Sequence, residues 1–220
     1  MEFEQQYVHG VYTDIAEHFD KTRTALWGSV HKFIQELPKY SRVLDCGCGN
    51  GKYLCSRNDL QWSGMDCCTS LLEVAHKKSG KDVLQANALN IPFRSNVFNA
   101  VLSIAVIHHL SNQERRLQMV QEILRILQVG GRAIITAWAL EQECPKKTVD
   151  KWTCIKNTDY MVPWQMRIGK IVGPTYQRYY HLFVKDELEQ LVKKCPNCCV
   201  LNTYYEEGNW GIVIEKTYSG

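Results

Sequence analysis

Apolar positions in the first part of the chain follow a helical period. Tyr7, Val8, Val11, Tyr12, Ile15 and Phe19 share one face, and Trp27, Val30, Phe33, Ile34 and Leu37 share another. This spacing predicts two helices within residues 5–37, ended by Pro38 and separated by the polar stretch Asp20-Lys21-Thr22-Arg23. The pattern then changes. Short β-favouring runs are expected as strands at 43–46, 60–66, 82–86, 97–104 and 132–138. Between them lie helical patterns at 51–57, 69–78 and 113–128, the last with a stripe of Leu117, Val120, Ile123, Leu124 and Leu127 and with Arg115, Arg116 and Arg125 on its wet face. The run at 97–104 is almost continuously apolar, as a strand covered on both faces should be. Alternation of this kind predicts an α/β fold with a parallel, doubly wound sheet. Residues 144–180 lose periodicity and read as an irregular insertion. A last helix at 185–195 and an antiparallel pair at 200–205 and 211–218, turning at Glu207-Gly208-Asn209, close the chain.

The chemistry concentrates where the first strand ends. Asp45 is followed by Gly47, Gly49 and Gly51, a G-x-G-x-G turn that lets backbone approach a ligand closely. A dinucleotide turn has the spacing G-x-G-x-x-G and meets a pyrophosphate, which a carboxylate at Asp45 would oppose. A carboxylate there suits an ammonium instead. S-adenosylmethionine carries an ammonium, a sulfonium and a ribose but no phosphate, and the stretch resembles motif I of class I methyltransferases. Asp66, about 20 positions on, is placed to take ribose hydroxyls, with a helix cap as the competing role. Asn87 stands where a carbonyl could accept from the adenine amino group. His108 and His109 follow the fourth strand at its carboxyl end, where ligands of open α/β sheets sit; a packing role competes. In the insertion, Lys146, Lys147, Lys151, Lys156, Arg167, Lys170 and Arg178 are interleaved with Trp152, Tyr160, Trp164, Tyr176, Tyr179 and Tyr180. Basic and aromatic residues together suit phosphate contacts and base stacking, or a solvated loop.

Composition narrows this a little. With 220 residues, a single domain (1–220) is expected, with residues 1–38 as a helical lid over the cofactor and 140–182 as a substrate-side insertion. A net charge of +3 permits nucleic-acid binding without demanding it. No apolar run reaches membrane-spanning length, and the acidic start Met1-Glu2-Phe3-Glu4 is not signal-like. A cytoplasmic or nuclear protein with no membrane contact is the expectation. Ten cysteines then read as free thiols. Cys195-x-x-Cys198, next to Cys199, has no second pair at zinc spacing, so no metal site is expected.

Several segments together resemble the eukaryotic tRNA wobble-uridine methyltransferases that convert 5-carboxymethyluridine to its methyl ester. They are Tyr7-Val8-His9, Val11-Tyr12, Thr22-Arg23 with Trp27, the glycine turn, Ser103-Ile104-Ala105-Val106-Ile107-His108-His109, Trp138-Ala139 and Arg178-Tyr179-Tyr180-His181. The resemblance implies a class I methyltransferase (Rossmann-like) fold, a seven-stranded, mostly parallel sheet with helices on both faces. It implies S-adenosylmethionine as cofactor, held by Tyr12, Arg23, Asp45, Gly47, Gly49, Gly51, Asp66, Cys67, Asn87, Ala88, Leu89 and Ile104. It implies a uracil pocket and anion-positioning groups formed by Arg23, Trp27, His108, His109, Trp138, Arg178, Tyr179 and His181. The implied partners are the anticodon loop of tRNA and a small zinc-containing activator protein that pairs with the exposed edge of the third strand. Asn87 and Asn99 depart from aspartates usual in that family. Alternatives are a methyltransferase for a small carboxylate or a protein, and an inactive binding scaffold.

Overall fold

The computed structural model describes residues 2–218. One helical turn, α1 (Glu2–Glu4), runs through a π-helical segment (Gln5–His9) into α2 (Gly10–Thr22), and α3 (Gly28–Gln35) follows. The break between α2 and α3 covers residues 23–27; of the polar stretch expected to separate the helices only Arg23 lies in it, and Asp20, Lys21 and Thr22 stay in α2. The Thr22 hydroxyl donates to the carbonyls of His18 and Phe19 and holds the last turn of α2. Then come β1 (Arg42–Cys46), β2 (Gln61–Asp66), α4 (Thr69–Ser79), β3 (Asp82–Gln85), β4 (Phe98–Ile104), α5 (Gln113–Ile126) and β5 (Leu127–Trp138). Strands β6 (Thr153–Lys156), β7 (Asp159–Ile168) and β8 (Ile171–His181) precede α6 (Glu187–Val192), β9 (Cys198–Glu206) and β10 (Asn209–Lys216).

Seven strands form one sheet in the order β3-β2-β1-β4-β5-β10-β9, with only β10 antiparallel to its neighbours. Its central strands are buried on both faces, and alternate residues serve different layers. Leu44, Val101 and Ile135 pack with α5 and α6, while Val43, Leu102 and Ile134 pack with α3 and α4. This is the doubly wound sheet expected from the alternating pattern. Strand β3 lies at an edge, and its Leu84 is exposed.

Three expectations fail for local reasons. No helix forms over 51–57. The chain there makes successive tight turns, Gly51 N–H to Cys48 O, Leu54 N–H to Gly51 O and Ser56 N–H to Tyr53 O. Tyr53 and Leu54 are both buried beneath α3, and Arg57 is drawn to the carbonyls of Ile34, Gln35 and Leu37 at the end of α3. The glycine turn therefore lacks a helix dipole behind it. The insertion is not irregular: β6, β7 and β8 form a three-stranded antiparallel sheet. Its alternation hides in the sequence because β8 is buried on both faces at Arg178, Tyr179, Tyr180 and His181, none of them aliphatic. Finally, the arginines of α5 are not on a wet face. Arg115 pairs with Glu4, Arg125 with Glu122, and buried Arg116 donates to Leu110 O.

Gly51 has φ +74°, and a Cβ placed on it would lie 2.8 Å from the Ala75 Cβ of α4. A side chain here meets both backbone strain and a packed helix. Gly51→Ala is expected to lose about 1–3 kcal/mol of unfolding free energy, read as a lower urea midpoint at unchanged slope.

Candidate cofactor and substrate site

One cavity opens at the carboxyl ends of β1, β2, β4 and β5, roofed by α1, the π-helical segment and α2, with the start of α3 and β8 beside it. Its floor is the glycine turn. Gly47 (φ +84°) lies so close to Val106 that a Cβ would fall 2.3 Å from the Val106 Cγ2. Beside it Asp45 is buried, and its Oδ2 has no hydrogen-bond partner. Burial, reinforced by neighbouring Asp66, pushes the Asp45 carboxyl up to about 7. An unpartnered carboxylate oxygen next to a bare backbone turn fits an ammonium group. Asp66 accepts from the Gly49 N–H through Oδ2 and from the Cys68 N–H through Oδ1, both at 2.9 Å. Each oxygen keeps a lone pair for a ribose hydroxyl; the helix-cap reading fails, because the N-cap of α4 is Cys68 and Asp66 lies two residues before it.

The roof is fastened at both ends. Glu4 accepts from the Ser111 N–H at 2.7 Å and takes the Arg115 guanidinium bidentately at 2.9 and 2.6 Å. At the far end Asp20 pairs with Lys78 and accepts from Asn50 Nδ2. Lys52 donates to Ala25 O at 3.0 Å and lies over the rings of Trp27 and Tyr53. Trp27 is thereby set at the rim. Arg23 also lines the cavity, with its guanidinium 5.0 Å from the Trp164 ring.

The opposite wall is aromatic and cationic. Arg178 is 3% exposed, and its guanidinium lies between the rings of Trp164 and Tyr180, at 4.6 and 5.0 Å. One Nη donates to the Tyr12 hydroxyl at 3.4 Å, and its Nε has no partner. No carboxylate answers this charge among the salt bridges of the described residues. The Tyr12 hydroxyl donates in turn to His109 Nε2 at 3.0 Å, and His109 Nδ1 donates to Tyr179 O at 3.1 Å. Burial pushes His109 down to about 3, so it stays neutral with its proton on Nδ1. His108 is fully buried, and burial, then the proximity of His109 and Arg178, lowers its pKa well below the usual histidine range. The Trp138 N–H donates to its Nδ1 at 3.4 Å, which puts its proton on Nε2. That Nε2 has no partner and offers a donor to the cavity.

Most of the candidates named from sequence meet in this cavity: Tyr12, Arg23, Trp27, Asp45, Gly47, Gly49, Asp66, Cys67, Asn87, Ala88, Ile104, His108, His109, Trp138 and Arg178. Four do not line it. Gly51 packs on α4, as above. Leu89 is buried in the core against α5. Tyr179 and His181 point to the other side of β8, because a strand turns alternate residues to opposite faces. The Tyr179 hydroxyl donates to Asp159 at 2.8 Å, and His181 lies between Asp159 and Glu187 at 2.8 and 2.7 Å. Tyr180 takes their place, with its ring 4.5 Å from that of His108 and 5.1 Å from that of Trp138. The two-residue alternation counted from Arg178 would have found it. Asn87 lines the cavity, but its Oδ1, which was expected to meet adenine, accepts from the Leu89 N–H at 2.9 Å.

The family model described as "Methyltransferase domain" matches residues 44–135. The tRNA (carboxymethyluridine(34)-5-O)-methyltransferase of Schizosaccharomyces pombe is 40% identical, covering 98% of this chain and 99% of that one. The tRNA (carboxymethyluridine(34)-5-O)-methyltransferase alkbh8 of Xenopus tropicalis is 35% identical over 97% of this chain, which spans 41% of that longer protein. Among solved structures, an S-adenosylmethionine-dependent methyltransferase from Clostridium acetobutylicum superposes with a TM-score of 0.71 at 12% identity, over 94% of this chain and 100% of that one. The putative methyltransferase in complex with the Trm112 methyltransferase activator of Haloferax volcanii gives a TM-score of 0.68 at 12% identity, with 97% and 99% covered. The fold is that of S-adenosylmethionine-dependent methyltransferases, and Asp45, the glycine cradle and Asp66 fit that cofactor.

Below pH about 7 Asp45 holds a proton in the free protein, whereas pairing with the cofactor's ammonium needs the carboxylate. Cofactor binding is therefore expected to expel a proton and to weaken as pH falls below 7. Calorimetry at pH 6.5 in buffers of different ionisation enthalpy reads that proton. Asp45→Asn should bind more weakly and release none; release that persists in the variant assigns the proton to another group.

Proposed function

The chain belongs to the tRNA (carboxymethyluridine(34)-5-O)-methyltransferase family, and from that premise we propose that it methylates the carboxylate of 5-carboxymethyluridine at the wobble position of tRNA. The observation that carries this reading is Arg178: a buried guanidinium with no carboxylate partner among the described residues, facing the same cavity as the cofactor cradle. Buried cations are paired, and the missing anion is the substrate's.

S-adenosylmethionine bound at the glycine turn supplies an electrophilic methyl group. The acceptor is already anionic, so no strong base is required, and neither histidine is poised as one: burial keeps both neutral. The side chains orient instead. Arg178 holds the carboxylate, and Tyr12 and the Trp164 and Tyr180 rings fix the guanidinium in turn. The His108 Nε2–H offers a donor to a uracil carbonyl, with the Tyr180 and Trp138 rings beside it for the base. The roof of α1 and α2 keeps water out, which preserves the alignment that in-line displacement needs.

The activator fits the same reading. A small zinc-containing partner adding a strand to the free edge of β3 would bury Leu84. We place the reaction in the cytoplasm or nucleus, where the ten cysteines, all free thiols, stay reduced.

The test is to incubate the protein and activator with labelled S-adenosylmethionine and tRNA carrying carboxymethyluridine. The expected labelled product is the nucleoside methyl ester, which alkali removes. Arg178→Ala should lower kcat/KM by about 30-fold or more, while cofactor affinity changes little. Label in an alkali-stable nucleoside would refute the assignment. Separately, Leu84→Glu should weaken co-purification with the activator and leave the fold intact.

A further inference from the structure

The aromatic wall does not stop at the cavity. From His108 and Tyr180 it passes to Trp138, and 5.4 Å further out stands the ring of Trp152, tilted by 46° and outside the cavity lining. Trp152 is partly exposed. It ends two 3-10 turns, Pro145–Lys147 and Val149–Lys151, which carry Lys146, Lys147 and Lys151, all exposed, against the single carboxylate of Asp150. Nothing in the reaction derived above uses these residues. A packing role accounts for part of Trp152, which touches the cluster of Val162, Tyr180 and Leu182. It does not account for the ring's exposure or for the three lysines beside it.

We infer that Trp152 is a second nucleobase platform, on which the nucleotide next to the modified uridine stacks while Lys146, Lys147 and Lys151 hold the adjoining phosphates. The inference rests on the reading of the cavity as the pocket for the modified base. A base held against Trp138 leaves its chain neighbour to be placed one ring spacing away, and Trp152 is the ring at that spacing. Stacking tolerates any base, because every base has a π-face. The site therefore supplies affinity for an unstacked loop rather than a sequence rule. The lysines add a salt-dependent contribution.

Binding is measured by fluorescence anisotropy with the full chain and an anticodon stem–loop, intact or made abasic on the 5′ or the 3′ side of the wobble uridine. Trp152→Leu keeps apolar filling and removes the plane, and Trp152→Phe keeps a plane. Trp152→Leu is expected to raise Kd about 10-fold and to raise KM for methyl transfer with little change in kcat, while Trp152→Phe stays within a few-fold of the parent. One of the two abasic loops should cost the parent protein the same 10-fold and cost Trp152→Leu nothing further. Equal binding of the intact and both abasic loops by the parent protein, losses that simply multiply, or a fall in kcat shared by Leu and Phe overturns the proposal. The binding measurement needs no methyl transfer. A protein that passes it yet forms no methyl ester separates failure of the reaction assignment from failure of the platform.

Discussion

A charge taken out of water has to be answered, and this cavity holds two that the protein does not answer. The Asp45 carboxyl lies under the glycine turn with one oxygen unpartnered, and the Arg178 guanidinium lies on the wall without a carboxylate. Desolvation of either costs several kcal/mol unless a partner arrives. The protein responds differently at the two ends. Asp45 escapes by holding its proton to about pH 7. Arg178 cannot shed its proton, so it is cushioned by two aromatic faces and the Tyr12 oxygen. An ammonium at one end and an anion at the other would complete the site, both within one cavity.

The surrounding network makes that asymmetry rigid. Arg178, Tyr12, His109 and the Tyr179 carbonyl form one chain of donors and acceptors, which fixes the tautomer of His109 and the rotation of the Tyr12 hydroxyl. His108 is set independently by the Trp138 amide. Neutral, oriented imidazoles present fixed dipoles without competing for the substrate's charge. An imidazolium beside Arg178 would add repulsion, and burial excludes it.

The sheet was legible because its signals are redundant: β4 is apolar on both faces, and Gly47 and Gly49 follow a strand that ends in a buried acid. Asp45, Gly47, Gly49 and Asp66 accordingly line one cavity. The substrate wall was harder to read. Treating 144–180 as irregular concealed the alternation of β8, and with it the exchange of Tyr179 and His181 for Tyr180. Polar and aromatic residues buried on a small antiparallel sheet carry no aliphatic period to count. Gly51 belongs to the glycine turn and Leu89 follows from the resemblance alone; helix packing and core burial claim them instead. No pattern in the 51–57 segment announces that its helix is absent, because Tyr53 and Leu54 are held by α3, an element distant in sequence.

The roof's two fastenings differ in their exposure to solvent. The Glu4 side chain is 4% exposed where it grips Arg115, whereas Lys78 is 45% exposed where it meets Asp20. Mobile ions reach the second contact and barely reach the first. Added electrolyte therefore weakens the Asp20–Lys78 contact more than the Glu4–Arg115 contact. Tyr12, on the same helix as Asp20, still ties it to Arg178 and His109 on the opposite wall.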